Sequence, residues 1–254
     1  MSIIIFLVSI IPGIFIILKL MKRRKEDLLY RKSCKSALIR GLISVFPILG
    51  VSAFFNLLTA ILNYTLLHDR YILVQRAVYT FIVLAFAEEL VKYSAFRFLL
   101  KKKYSEYTWA DVTAFMVIIG TAFGLVEDIP YAIGASPMVM LIRGFTMGHV
   151  GYGFMMGWFH GKSLYTGKKR FAVLSFLVPF LLHGLYDFSL SEELLAVNDN
   201  FAAIGLSLAV VDVVLLVLMI RFFLRSRKKD IYNVPLVNLE EETAVPESSA
   251  DRIV

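Results

Sequence analysis

At 254 residues, 58% hydrophobic and only 19% charged, with a mean hydropathy of +0.72, the chain lies outside the soluble range of about 45–50% apolar and 25% charged. An all-α polytopic bundle of transmembrane helices is expected, and the net charge of +7 then reports basic loops, not affinity for nucleic acid. Cys34 is the single cysteine, which excludes an intramolecular disulfide and a cysteine-based metal site.

About seven spans are expected in chain order. Ile3–Leu20 is apolar and is followed at once by Lys22, Arg23, Arg24 and Lys25. A cleaved signal peptide carries its charge before the apolar region, so this reads as a retained first helix, bent at Pro12-Gly13. Leu38–Leu62 is the second span, entered from the basic stretch Arg31–Arg40, and Ile72–Phe98 is the third, ending on Lys101-Lys102-Lys103. Val112–Ile133, Met138–Phe159, Phe171–Leu190 and Phe201–Leu224 complete the set. With this count the strongly basic segments share one side, which the positive-inside rule makes cytoplasmic, giving an N-out, C-in topology. Residues 1–224 form the membrane-embedded unit with a working core at 72–190, and 225–254 is expected to be a disordered cytoplasmic tail, acidic and poor in apolar periodicity.

The third to sixth spans hold nearly all the ionisable residues at membrane depth, whereas the seventh offers only Asp212. Such residues are costly in lipid and converge on an interior cavity. In the third span Glu88 and Glu89 stand four and three residues before Lys92, both neighbour spacings on a helix. One cation beside two acids leaves a surplus carboxylate, the arrangement of a general base. In the sixth span His183 and Asp187 are four apart, so the carboxylate can hold one imidazole nitrogen and leave the other free. His149 sits among Gly144, Gly148, Gly151, Gly153 and Gly157, and Gly120 with Gly124 makes a second small-residue face suited to close helix packing. Glu127 and Tyr131 are four apart around Pro130, while Asp128 is expected to be hydrated near the outer interface.

Taken together, EELVK at 88–92, FGLVEDIPY at 123–131, HVGYGFMMG at 149–157 and HGLYD at 183–187 occur in order on separate spans. This constellation resembles the PrsW family of intramembrane proteases, within the wider superfamily of CAAX prenyl endopeptidases; Lys92 matches the EExxK form. Asp128 departs from the asparagine expected beside the motif glutamate. The resemblance implies a glutamic-type peptide hydrolase of the bacterial cytoplasmic membrane that makes the first cut in a single-span anti-sigma factor during a stress response.

Peptide hydrolysis needs an activated water, a stabilised oxyanion and a proton for the leaving amine. Glu88, helped by Glu89, is expected to activate water with His149; His183, oriented by Asp187, donates to the oxyanion or the leaving group. Lys92, Glu127 and Tyr131 support them. No cofactor is expected: the Glu-x-x-His pairs by which helical bundles hold carboxylate-bridged metals do not occur here, although Glu and His ligation is the alternative chemistry. A proton-coupled transporter, which would use the same residue types as a relay, and a non-catalytic scaffold are the competing classes. The transporter would commonly show internal repeats, and none stands out.

Overall fold

The computed structural model describes residues 2–62, 64, 71–101, 106–134, 137–198, 200–227 and 232. Its elements are helical: α1 (Ser2–Met21), α2 (Leu28–Ile43), α3 (Val45–Leu62), α4 (Ile72–Val78), a π-helical segment (Tyr79–Phe86), α5 (Ala87–Leu100), α6 (Trp109–Gly134), α7 (Pro137–Thr146), α8 (Gly148–Thr166), α9 (Lys169–Ser189), α10 (Glu192–Val197) and α11 (Asn200–Ser226). Five of these stretches, Ile4–Met21, Leu28–Leu62, Trp109–Pro130, Lys169–Ser189 and Asn200–Ser226, are long and apolar enough to cross a membrane. The bundle is therefore all-α and polytopic.

The other two expected spans are helical but interrupted. The third runs as α4, the π segment and α5, and the fifth breaks at Met147, whose φ of 50° and ψ of 46° are left-handed. Both carry the charged groups of the site, which lowers their apolarity. The second expected span begins earlier than Leu38. Its helix starts at Leu28, where the Asp27 side chain accepts a hydrogen bond from the Tyr30 amide at 2.9 Å, and steps at Ser44. The basic residues at 31–40 thus lie on a helix. Most of the expected tail falls outside the described residues; α11 continues to Ser226, and Tyr232 packs edge-on against Trp109 and Phe222.

Helix α6 is the axis of the fold. Ala110, Val112, Ala114, Phe115, Met116, Val117, Ile118 and Ile119 are fully buried, as expected for a helix apolar all round with neighbours on every side. Its closest neighbour is α8, and the approach depends on missing side chains. A Cβ on Gly120 would collide with the His149 carbonyl oxygen, and one on Gly153 would come to 2.9 Å of the Met116 carbonyl. The small-residue faces read from the sequence are this contact. Exposed large apolar side chains such as Leu7, Phe46, Leu57 and Leu206 cover the outer faces of α1, α3 and α11, where lipid would lie.

At the basic end, α1 is tied to the start of α6. Asp111, fully buried, pairs with Arg23 at 2.5 Å and with Arg24, and also accepts from the Thr108 amide at 3.0 Å. Removing one partner of a buried pair strands the other charge and costs about 3–5 kcal/mol, whereas an exposed pair contributes about 0–1 kcal/mol. Asp111→Asn is therefore expected to lower the unfolding midpoint in detergent far more than Asp27→Asn, which breaks the half-exposed Arg24–Asp27 contact of 2.6 Å. Equal midpoints for the two variants would refute this lock.

Candidate active site

Helices α5, α6, α8 and α9 bring the acids and imidazoles together, two of them beginning at breaks in the chain's regular helix. The π segment widens the turn just before α5, and α5 then presents Glu88, Glu89 and Lys92, all buried, toward α8 and α9. The left-handed Met147 ends α7 and starts α8 afresh, which places His149 in the first turn of the new helix. A non-glycine residue in that conformation costs about 1–2 kcal/mol, so surrounding contacts hold the break in place. Gly124 leaves the room: a Cβ there would come to 3.0 Å of His149 Cδ2.

The two glutamates are in different states of satisfaction. Glu89 Oε1 accepts from Lys92 Nζ at 2.6 Å and from His183 Nδ1 at 3.0 Å. Glu88 Oε2 is 3.6 Å from Lys92 Nζ and 3.9 Å from His183 Nε2, and this buried oxygen has no hydrogen-bond partner among the described residues. Lys92 thus pairs mainly with Glu89, and Glu88 is the surplus acid that the sequence called for. The Lys92 ammonium also donates to His149 Nδ1 at 3.1 Å and lies 4.4 Å above the Phe123 ring.

Each histidine is held at both nitrogens. An ammonium can only donate, so His149 Nδ1 accepts and its Nε2 donates, in a short contact, to Glu127 Oε2. His183 Nε2 is 3.2 Å from Asp187 Oδ2, as expected from the spacing, but Nδ1 is not free: Glu89 takes it. This corrects the expectation of one unoccupied nitrogen, and the cause is a helix-to-helix contact between α5 and α9. The two imidazole rings are 5.2 Å apart, and Tyr152 stacks on His183 with centroids at 5.2 Å and planes at 23°.

Asp128 is not merely hydrated. Arg143 bonds it at 2.8 Å and reaches Glu127 at 3.1 Å, bridging α6 and α7. Tyr131 lies in α6, but its side chain is outside the described residues. Arg143 is an addition that sequence reasoning missed, and Phe123 and Tyr152 enter it only as parts of their motifs, without a role; an arginine inside an expected span was the one available signal. A cavity of about 60 Å³ opens onto His149, His183, Asp187 and Glu127, and Asp212 from α11 lines it too, its buried Oδ2 without a hydrogen-bond partner among the described residues. That volume holds a few waters. Glu88 sits behind the two imidazoles and not on the cavity wall.

One atom each from Glu88, His149 and His183 lie within 4.8 Å of one another. A point about 2.8 Å from all three, hydrogen-bond distance, can therefore exist between them. A metal is a poorer fit to the same trio. Ligands at about 2.1 Å in tetrahedral geometry stand about 3.4 Å apart, less than the 3.9 Å between His183 Nε2 and Glu88 Oε2. All four imidazole nitrogens are engaged at rest, so a water or a cation bound there would each have to displace a partner. In spacing alone the trio suits a bound water better than a cation, while its Glu and His donors are ones that a metal also takes.

The model of the PrsW-protease family, described as PrsW family intramembrane metalloprotease, matches residues 34–220. The chain belongs to the PrsW family. Among curated PrsW-family relatives it is similar to Protease PrsW of Oceanobacillus iheyensis, at 31% identity over 43% of this chain and 53% of that protein. It is similar as well to Protease PrsW of Shouchella clausii, at 37% over 32% of this chain and 40% of the relative, and to that of Geobacillus kaustophilus, at 27% over 59% and 63%. The alignments thus span about half the length of these relatives. No solved structure matches.

Proposed function

We propose that this PrsW-family chain is an intramembrane endopeptidase in which Glu88 activates a water for attack on a peptide bond of a single-span membrane protein. The observation that carries this reading is the unpartnered, buried Glu88 Oε2 facing the two imidazoles. Glu88 removes a proton from the water as it attacks the carbonyl carbon and returns it to the leaving amine. Both rings are fully bonded at rest, so each acts by exchanging one partner: His149, kept in place by Lys92, turns its Nε2 from Glu127 to the water and orients it, and His183, kept in place by Glu89, turns its Nε2–H from Asp187 to the oxyanion. The curated relatives' name, protease, supports hydrolysis.

Depth supports a first cut at the outer side. At 1.5 Å per residue, α5 rises about 20 Å from Glu88 to Lys101, and α9 about 20 Å from Lys169 to His183. In a hydrocarbon core about 30 Å thick, this puts the site past the midplane from the basic end. If that end is cytoplasmic, as the positive-inside rule has it, the site serves the outer half of the membrane. An anti-sigma factor is the substrate class that this arrangement and the family resemblance favour.

Because the family description names a metalloprotease, the cofactor is tested directly. Purified protein dialysed against a chelator is expected to keep cleaving a single-span substrate, with metal content by mass spectrometry well below one ion per chain. Stoichiometric metal that leaves together with activity overturns the metal-free mechanism but not the hydrolase.

A further inference from the structure

A second cavity, about 560 Å³, lies between α5 and α8 at the basic end of the bundle, remote from the acids and imidazoles above. Arg97 and Lys101 line it, and among the described residues no carboxylate does. Neither cation has an acidic partner among the described residues. His160, 1% exposed, sets the arginine in place: its Nε2 accepts from Arg97 Nη1 at 3.3 Å, and its Nδ1 is 3.3 Å from the Tyr93 hydroxyl. A buried histidine held by a tyrosine hydroxyl at one nitrogen and facing the guanidinium with the other is a built feature, beyond a chance cluster of surface charge. Beside the cations the wall turns apolar, with Leu164 and with Phe98, which is 65% exposed.

Two uncompensated cations fix the ligand's charge as negative, and a guanidinium held on one side beside a flexible ammonium suits phosphate oxygens. The adjoining apolar wall, on a helix end at the membrane surface, distinguishes a lipid from a free ion. Basic pockets between helices at the cytoplasmic surface are where anionic headgroups dock. We propose that this cavity binds the phosphodiester of an anionic phospholipid, held by Arg97 and Lys101, with an acyl chain along Phe98 and Leu164. The lipid would bridge the basic ends of the two helices whose opposite ends carry Glu88 and His149.

Binding can be read without proteolysis. The purified chain is titrated with phosphatidylglycerol or phosphatidylcholine and lipid adducts are counted by native mass spectrometry, with inorganic phosphate as a third arm. Phosphatidylglycerol is expected to be retained preferentially. Each basic residue near an anionic headgroup contributes about a factor of five, so Arg97→Gln/Lys101→Gln weakens binding roughly 25-fold. Lys168→Gln/Lys169→Gln, at the same end but outside the cavity, leaves it unchanged. Equal loss in both variants, or phosphatidylcholine held as well as phosphatidylglycerol, overturns the site. Inorganic phosphate displacing the lipid adduct at equal concentration overturns the lipid assignment. Should the double variant fail to fold, Lys101→Gln carries the test at about a fivefold loss, since that side chain is exposed and has no acidic partner.

Discussion

Glu88→Gln is expected to lower turnover of a single-span substrate by about 10²–10⁴-fold, the usual contribution of a general base, while the protein expresses and unfolds like wild type. The split follows from the site. Glu88 Oε2 makes no hydrogen bond among the described residues and stands 3.6 Å from Lys92, so an amide of the same size removes no contact on which the fold depends. Glu89→Gln should behave differently. Glu89 is 1% exposed and accepts from both Lys92 and His183, so its loss disturbs two neighbours and lowers stability together with activity. A scaffold reverses the first outcome: Glu88→Gln would weaken the bundle and there would be no cleavage to lose. A full rate from Glu88→Gln, measured by mass spectrometry of the cut product, would remove Glu88 from the chemistry.

What could be read from the sequence was what one helix determines by itself. The reach of Lys92 toward both glutamates and the contact of His183 with Asp187 follow from spacings of three and four residues, and both are present. The glycines on α6 and α8 were legible for a related reason: gaps at regular spacing have meaning only if another backbone fills them. Contacts between helices were not legible. The claims of Glu89 on His183 and of Glu127 on His149 depend on how α5, α6, α8 and α9 rotate against one another, which no local spacing encodes. Nor does anything in the residues around Met147 announce a left-handed turn, or anything in the apolar run Tyr79–Phe86 a π-helix. Both breaks adjoin the site. The cost of distorting the backbone is offset there by contacts remote in sequence, which explains why a reading based on continuous spans located the residues but not their partners.

Lys92→Met carries the second large effect, on stability. Lys92 is 1% exposed and is the one basic side chain that reaches Glu88, Glu89 and His149 together among the described residues. Taking it away leaves two adjacent buried carboxylates and frees the His149 nitrogen it had fixed. Breaking a buried pair from one side costs about 3–5 kcal/mol, a large part of the stability of a typical domain. The unfolding midpoint in a denaturant titration should fall accordingly, with activity lost even under conditions that keep the variant folded. The double variant Lys92→Met/Glu89→Gln separates charge from packing. Replacing both partners of a buried pair is often close to neutral, so the pair of substitutions should recover much of the stability that Lys92→Met loses and none of the activity. Recovery of stability without turnover would mean that the ion pair is needed to hold His149 and His183 around Glu88 more than to hold the helices. A double variant no more stable than Lys92→Met would show instead that the ammonium's contacts with His149 and the Phe123 ring, more than its pairing with Glu89, are what the bundle requires.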